Sequence, residues 1–128
     1  MSTVSVVGAT GRQGLAQVKQ LLKQGYDVRA LSRSDAPDLG EFTHKVRTRY
    51  LDIEDKSSIE AAIEGSQFVF YNHPLHLNDK REELITNLGH ASKKVGIKRL
   101  VWNTASWIPD RPGDSHPYTQ NTHSIKAL

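Results

Sequence analysis

The stretch Thr3-Val4-Ser5-Val6-Val7-Gly8-Ala9-Thr10-Gly11-Arg12-Gln13-Gly14 decides how the rest of the chain reads. A short apolar run, Val4 to Val7, ends directly in Gly8-x-x-Gly11-x-x-Gly14, and a helical pattern begins at the last glycine. Strand, glycine turn and helix in that order are the context that gives a glycine pattern meaning. Gly8 permits the tight turn, Gly11 lets the backbone approach a pyrophosphate, and Gly14 lets the helix pack close to the strand. The helix N-terminus then presents unpaired N–H groups and the positive end of its dipole. The competing reading is an ordinary βα loop that happens to be rich in glycine. The ordered motif favours a dinucleotide site.

Working outward, the chain alternates strands with helices. A first helix is expected from about Gly14 to Gln24, with Leu15, Val18, Leu21 and Leu22 on one face and Gly25 closing it. Strand two is Asp27 to Leu31, followed by the turn-rich Ser32–Pro37. A third strand around Val46 to Leu51 alternates poorly, as an edge strand with one wet face does. Asp55 can cap a helix carrying Ile59, Ala62 and Ile63 inward and stopping at Gly65. Phe68-Val69-Phe70-Tyr71 is a continuous apolar run suited to a central strand buried on both faces. Asn78 or Asp79 is expected to open a longer helix with Leu84, Leu88, Ala91 and Val95 on one stripe, ending at Gly96. Arg99 to Asn103 is strand five, a proline-bearing loop follows from Ser106 to Gln120, and a last helix starts near Asn121 or Thr122. Such alternation implies an α/β fold with a doubly wound parallel sheet. The usual order 3-2-1-4-5 puts a ligand crevice between strands one and four.

Composition agrees. A chain of 128 residues reads as a single domain, large enough to bury about two-thirds of its unfolded surface. Apolar content of 37% and charged content of 24% fit a soluble globular protein. No run approaches the roughly 18 apolar residues of a membrane span, and no signal-peptide pattern opens the chain. The absence of cysteine excludes disulfides, thiolate catalysis and cysteine-ligated zinc, and fits a cytoplasmic protein. A formal charge of +3 with scattered basic residues argues against nucleic-acid binding, which wants a denser stripe with stacking aromatics.

The spacing Gly8-Ala9-Thr10-Gly11-Arg12-Gln13-Gly14 departs from GxGxxG and matches GxxGxxG. Here the chain resembles the short-chain dehydrogenase/reductase superfamily, and within it the atypical, NmrA-like branch, whose members open with GATGxxG. The resemblance extends through every later element. It implies a Rossmann-type NAD(P)-binding domain whose parent activity is reduction of a small carbonyl or quinone by hydride transfer. It also implies a longer chain than this one, with a C-terminal substrate region after strand five; the expectation is a domain lacking that region. Strand five is then an unpaired edge carrying Trp102, and homodimerisation through that edge, or low solubility, is expected.

The end of strand two discriminates between cofactors, because an acid there bonds the ribose 2′-OH and a basic residue accommodates a 2′-phosphate. Arg33 stands 19 residues beyond Gly14, near the position of the discriminating acid. Arg12 can approach the same phosphate and Ser32 can add a hydroxyl, so NADP(H) is preferred over NAD(H). The alternative is a solvated Arg33 with Asp35 as an NAD-type acid. By resemblance, Asp52 and Ile53 hold the adenine, the carboxylate accepting from its amino group; the alternative for Asp52 is a turn or helix-start acid. Asn72, His73 and Pro74 leave strand four at the crevice, and Asn103 leaves strand five at the same edge. These groups are expected to line the ribose–nicotinamide half.

Many members of the superfamily use Tyr-x-x-x-Lys after strand five. Tyr118 sits in that region, but Thr122 stands where the lysine belongs, and Lys126 falls on a different helical face. The candidates for a proton donor are therefore Ser106, Tyr118, His123 and Lys126. The missing dyad also fits a non-catalytic redox sensor that binds a protein partner according to cofactor occupancy, or an inactive truncated member. His73-x-x-His76, with His116 and His123 beyond, makes a poor metal pattern without carboxylate or cysteine ligands, and no metal is expected.

Overall fold

The computed structural model describes residues 2–34 and 36–103. Five parallel strands form one sheet in the order β3-β2-β1-β4-β5. They are β1 Thr3–Val7, β2 Asp27–Ser32, β3 Arg47–Tyr50, β4 Phe68–Asn72 and β5 Arg99–Asn103, and the helices are α1 Arg12–Lys23, α2 Lys56–Ile63 and α3 Arg81–Val95. This is the expected Rossmann-type order. Strand addition runs outward from β1 through β2 to β3, then restarts at β4 on the other flank. The connections leaving β1 and β4 therefore diverge, and a crevice opens at their C-terminal ends.

Side-chain alternation divides the core between the sheet's two faces. On one face Val6, Val28 and Ala30 pack with Val18 of α1 and Leu39. On the other, Val7, Leu31, Val69 and Tyr71 pack with Ile59 and Ile63 of α2 and Leu84, Ile85 and Leu88 of α3. The apolar stripe anticipated for α3 is the one that faces this second cluster. Among the described residues no helix is long and apolar enough to cross a membrane.

Several local expectations change. Helix α1 starts at Arg12 rather than Gly14, since Gly11 is its extended N-cap. Asp55 does cap α2, accepting from the Ser57 N–H at 3.1 Å, but neither Asn78 nor Asp79 opens α3. A 3-10 segment, Leu75–Lys80, intervenes, and α3 begins at Arg81 with Lys80 as an N-cap that makes no side-chain bond. All four residues of β3 are exposed, not one face only. Strand β4 is not buried on both sides: Val69 and Tyr71 are buried, whereas Phe68 and Phe70 are half-buried. Helix α1 lies across β1 and β2, so the described part of that face leaves β4 partly open.

A buried arginine interrupts β2. Arg29 donates through Nη1 to the carbonyls of Ala62 (3.3 Å) and Glu64 (2.7 Å) and to the Ser66 hydroxyl (3.2 Å). Arg49 donates to the Ala61 and Glu64 carbonyls. Two guanidiniums thus complete the carbonyls that the end of α2 leaves unpaired, at the negative end of its dipole. Burial, and then the neighbouring Arg49 and Arg47, lower the Arg29 pKa against the opposing pull of Asp27.

Candidate functional site

The glycine turn is built by contacts that exclude side chains. Gly8 has φ +76°, and a Cβ there would meet the Asn72 carbonyl oxygen at 3.1 Å and the Asn72 Cβ at 3.2 Å. A Cβ on Gly14 would lie 2.0 Å from the Gly8 carbonyl oxygen and 2.8 Å from the Ala9 Cα, so only glycine lets α1 rest on the turn. Ala9 is buried beneath it, while Thr10, Gly11, Arg12 and Gln13 are exposed. The Gly11 N–H closes the turn onto the Gly8 carbonyl at 3.2 Å.

The N-terminus of α1 is left open in a way that α2 is not. Gly11 supplies no capping side chain, and the first turn of α1 carries no acidic residue but does carry Arg12. A helix end with outward N–H groups, a positive dipole and an added cation suits an anion. The exposed Gly11 gives that anion an approach with no Cβ in the way.

Beside the turn lies a cavity of about 150 Å³ between the C-terminal ends of β1, β2 and β3. Gly8, Thr10, Ser32, Arg33, Asp52 and Ile53 all line it, over an apolar floor that includes Val7, Leu31, Leu51, Pro74 and Leu77. Seven of the residues picked from sequence, these six and Pro74, are far apart along the chain and converge on one space; Pro74 was expected in the ribose–nicotinamide half and instead lines this cavity beside Asp52 and Ile53. Ser32 Oγ accepts from the Ser34 N–H at 3.0 Å and folds the chain so that Arg33 stands at the rim. Neither the Arg33 nor the Arg12 guanidinium has a hydrogen bond or ion pair among the described residues.

Asp52 takes both roles weighed for it. Its Oδ1 accepts from the Glu54 N–H at 3.0 Å, an Asx turn, and the residue still lines the cavity. Glu54, which sequence reasoning passed over, stands at the same cavity and pairs with Lys80 at 2.9 Å. That hydrogen bond raises the Lys80 pKa. Leu77 was also missed, because the 3-10 segment that brings it to the cavity carries no strand or helix period.

The crevice continues past β4 as a chain of carboxamides. Asn72 stands beside Asn103 in the β4–β5 register. Asn72 Nδ2 donates to the Val7 carbonyl (2.9 Å) and to Gln17 Oε1 (2.8 Å), and its Oδ1 accepts from Gln17 Nε2 (3.1 Å) and Asn103 Nδ2 (3.0 Å). Asn103 Nδ2 also donates to Gln13 Oε1. Gln17 went unnoticed in sequence, although Gln13 and Gln17 are four apart on one helix face.

His73 lies at the end of β4 with both ring nitrogens engaged. Nε2 lies 3.0 Å from the Leu77 carbonyl and Nδ1 lies 2.7 Å from the Tyr71 hydroxyl. A carbonyl only accepts, so the neutral ring carries its proton on Nε2 and receives one from Tyr71 at Nδ1. Burial pushes the Tyr71 phenol up, partly countered by Arg81. Ser106, Tyr118, His123 and Lys126 lie outside the described residues.

A parallel sheet whose order reverses between β1 and β4, a glycine cradle under an uncapped helix and a cavity at the strand ends define a dinucleotide-binding Rossmann domain. The chain belongs to the NmrA-like family, which it matches over residues 1–126. It is 29% identical over 108 residues to sterol demethylase protein B of Methylococcus capsulatus, a match covering 77% of this chain and 33% of that protein. Among solved structures it resembles a Rossmann-fold NAD(P)-binding family protein of Shigella flexneri (TM-score 0.76, 19% identity, 99% of this chain and 60% of that one). It also resembles the triphenylmethane reductase of Citrobacter sp. complexed with NADP(H) (TM-score 0.75, 19% identity, 98% and 44%). An NADPH-dependent quinone oxidoreductase of Escherichia coli is similar as well (TM-score 0.74, 19% identity, 98% and 42%). The chain thus spans a third of the length of the sterol demethylase protein and less than two-thirds of each of these structures.

Proposed function

We propose that this NmrA-like domain binds NADP(H) in preference to NAD(H), and that its parent activity is reduction of a small carbonyl or quinone. The observation that carries the cofactor preference is Arg33: a guanidinium without a partner among the described residues, at the rim of the cavity where β2 ends. Arg12 on the adjoining helix turn adds a second. In this reading Arg33, Arg12 and the Ser32 hydroxyl hold the 2′-phosphate, and charge-assisted bonds from arginine are the strongest available there. Asp52 and Ile53 hold the adenine over the apolar floor, and the open first turn of α1 takes the pyrophosphate. The residues present fit the group, because the exposed Gly11 puts no Cβ over the open first turn of α1 and the cavity adjoins that turn. When bound, the nicotinamide supplies a hydride; Asn72 and Asn103 border its half of the crevice. The reductase activities named for the Escherichia coli and Citrobacter proteins support the choice of reaction class.

Calorimetric titration of the chain with NADPH and with NADH tests the reading. Tighter binding of NADPH is expected; equal or tighter binding of NADH would overturn the preference. A second reading, a non-catalytic NADP(H) sensor that binds a protein partner, is favoured by Thr122 standing four residues after Tyr118 in place of lysine. A panel of carbonyls and quinones followed by NADPH absorbance separates the two, with turnover of any member favouring the enzyme.

A further inference from the structure

The carboxamide chain at the ends of β4 and β5 has a direction, and one atom fixes it. The Val7 carbonyl can only accept, so the Asn72 atom facing it at 2.9 Å must be Nδ2. Asn72 Oδ1 therefore points to Asn103, and the atom of Asn103 that meets it at 3.0 Å must donate. Asn103 Nδ2 spends its other hydrogen on Gln13, whose facing atom must then be Oε1. Gln17 locks the hub by pairing with both ends of the Asn72 amide. Both hydrogens and both acceptor directions of Asn72 are thereby used, so the hub cannot flip without losing bonds. At the outer end, Gln13 is exposed in the first turn of α1, with its oxygen turned inward. Its NH2 group is left to point away from Asn103.

We propose that Asn72 and Asn103 are positioning residues that set the polarity of Gln13, so that its Nε2 donates to the pyrophosphate–nicotinamide half of the bound dinucleotide. The inference rests on the NAD(P)-binding reading. Without the relay, a surface glutamine would present oxygen or nitrogen with little preference, and an outward oxygen would repel a phosphate. The relay also ties the helix turn under the pyrophosphate to the end of β5.

The test compares NADPH with adenosine 2′,5′-bisphosphate, which shares the adenosine and 2′-phosphate but lacks the pyrophosphate and the nicotinamide riboside. Calorimetry is run on the full chain and on Gln13→Leu, Asn103→Asp and the double variant, with circular dichroism melts alongside. Asn103→Asp keeps the side chain's shape but offers only acceptors, so Gln13 must turn its nitrogen inward and its oxygen outward. Both single variants are expected to weaken NADPH about tenfold, the scale of one hydrogen bond to a charged group. Binding of the bisphosphate should stay within about twofold of wild type. The double variant should bind NADPH no more weakly than the weaker single variant, because both changes act through one donor. Equal losses for both ligands would mean that the network only maintains the fold and would overturn the proposal. Wild-type NADPH affinity in Gln13→Leu would overturn it as well. A wild-type chain that binds neither ligand would refute the cofactor reading itself, a result distinct from a failure of the relay.

Discussion

Gly11→Ala and Gly14→Ala should separate what the glycine turn does for the fold from what it does for a ligand. A methyl on Gly11 meets the Gly8 carbonyl oxygen at 3.4 Å, an ordinary contact, and the φ of −73° there suits alanine. The protein loses only the small preference for glycine over alanine at an N-cap, within about 1 kcal/mol. A phosphate sits about 2.9 Å from a backbone N–H, closer than it can approach over a methyl. Losing one charged hydrogen bond at this position costs about 1.5–3 kcal/mol, so NADPH should bind roughly tenfold to a hundredfold more weakly. Gly14→Ala is different in kind. Its methyl would lie 2.0 Å from the Gly8 oxygen, and reaching an ordinary 3.4 Å requires a shift of about 1.4 Å between two pieces of backbone. The overpacking cost should reach about 3 kcal/mol, more than the roughly 1 kcal/mol alanine gains in helix propensity. Circular dichroism melts and NADPH calorimetry on both variants check this: Gly14→Ala should melt about 10 °C lower, and Gly11→Ala within a few degrees of wild type. A Gly11→Ala protein that binds NADPH as wild type does would show that no phosphate rests on this turn. A Gly14→Ala protein with the wild-type melting point would refute the packing argument.

Arg33→Ala should raise the NADPH dissociation constant by roughly tenfold to a hundredfold in calorimetry while leaving NADH nearly unchanged, because only NADPH carries the 2′-phosphate. Tyr71→Phe should flatten the alkaline limb of a stability–pH profile. The folded-state pKa of Tyr71 lies above the ordinary value of about 10. Between those two values the unfolded chain has lost the proton and the folded chain keeps it, so wild-type stability falls as pH rises past about 10; parallel wild-type and variant profiles there would count against burial of the phenol. Asp55→Ala should lower stability by about 0.5–2 kcal/mol in urea titration through loss of the α2 cap, with NADPH affinity unchanged.

The elements that were legible in sequence are those whose signals are local. Val4–Val7 with its glycines, the Asp55 cap and the Leu84/Leu88/Ala91 stripe each carry period and punctuation within a dozen residues, and each stands where it was read. The errors fall where a distant contact overrides local preference. Asn78 and Asp79 look like helix caps, yet the chain first makes a 3-10 segment tied by the His73–Leu77 bond and only then enters α3. Arg29 is buried within β2 for a reason no local signal carries: its guanidinium bonds the carbonyl end of α2, more than thirty residues away. For the site, the topological rule placed Asn72 and Asn103 at the crevice, but no spacing could supply the bonds that join them to Gln17 and Gln13.

The same sequence logic explains why this edge of the sheet is the one available for binding. At the C-terminal end of each strand, or just beyond it, an apolar residue gives way to a glycine or a polar residue: Val7 to Gly8, Leu31 to Ser32 and Arg33, Leu51 (just beyond β3) to Asp52, Tyr71 to Asn72, Trp102 to Asn103. The apolar members are held in the core by α2 and α3, so the polar ones are fixed in register without contributing much to its stability. Gly11, Arg33 and Asp52 can therefore vary with the ligand at small structural cost. Gly14 and Asn72 cannot, because one lies against the turn's backbone and the other bonds β1, α1 and β5 together. Substitutions at the first group should change what is bound; substitutions at the second should change whether the crevice exists at all.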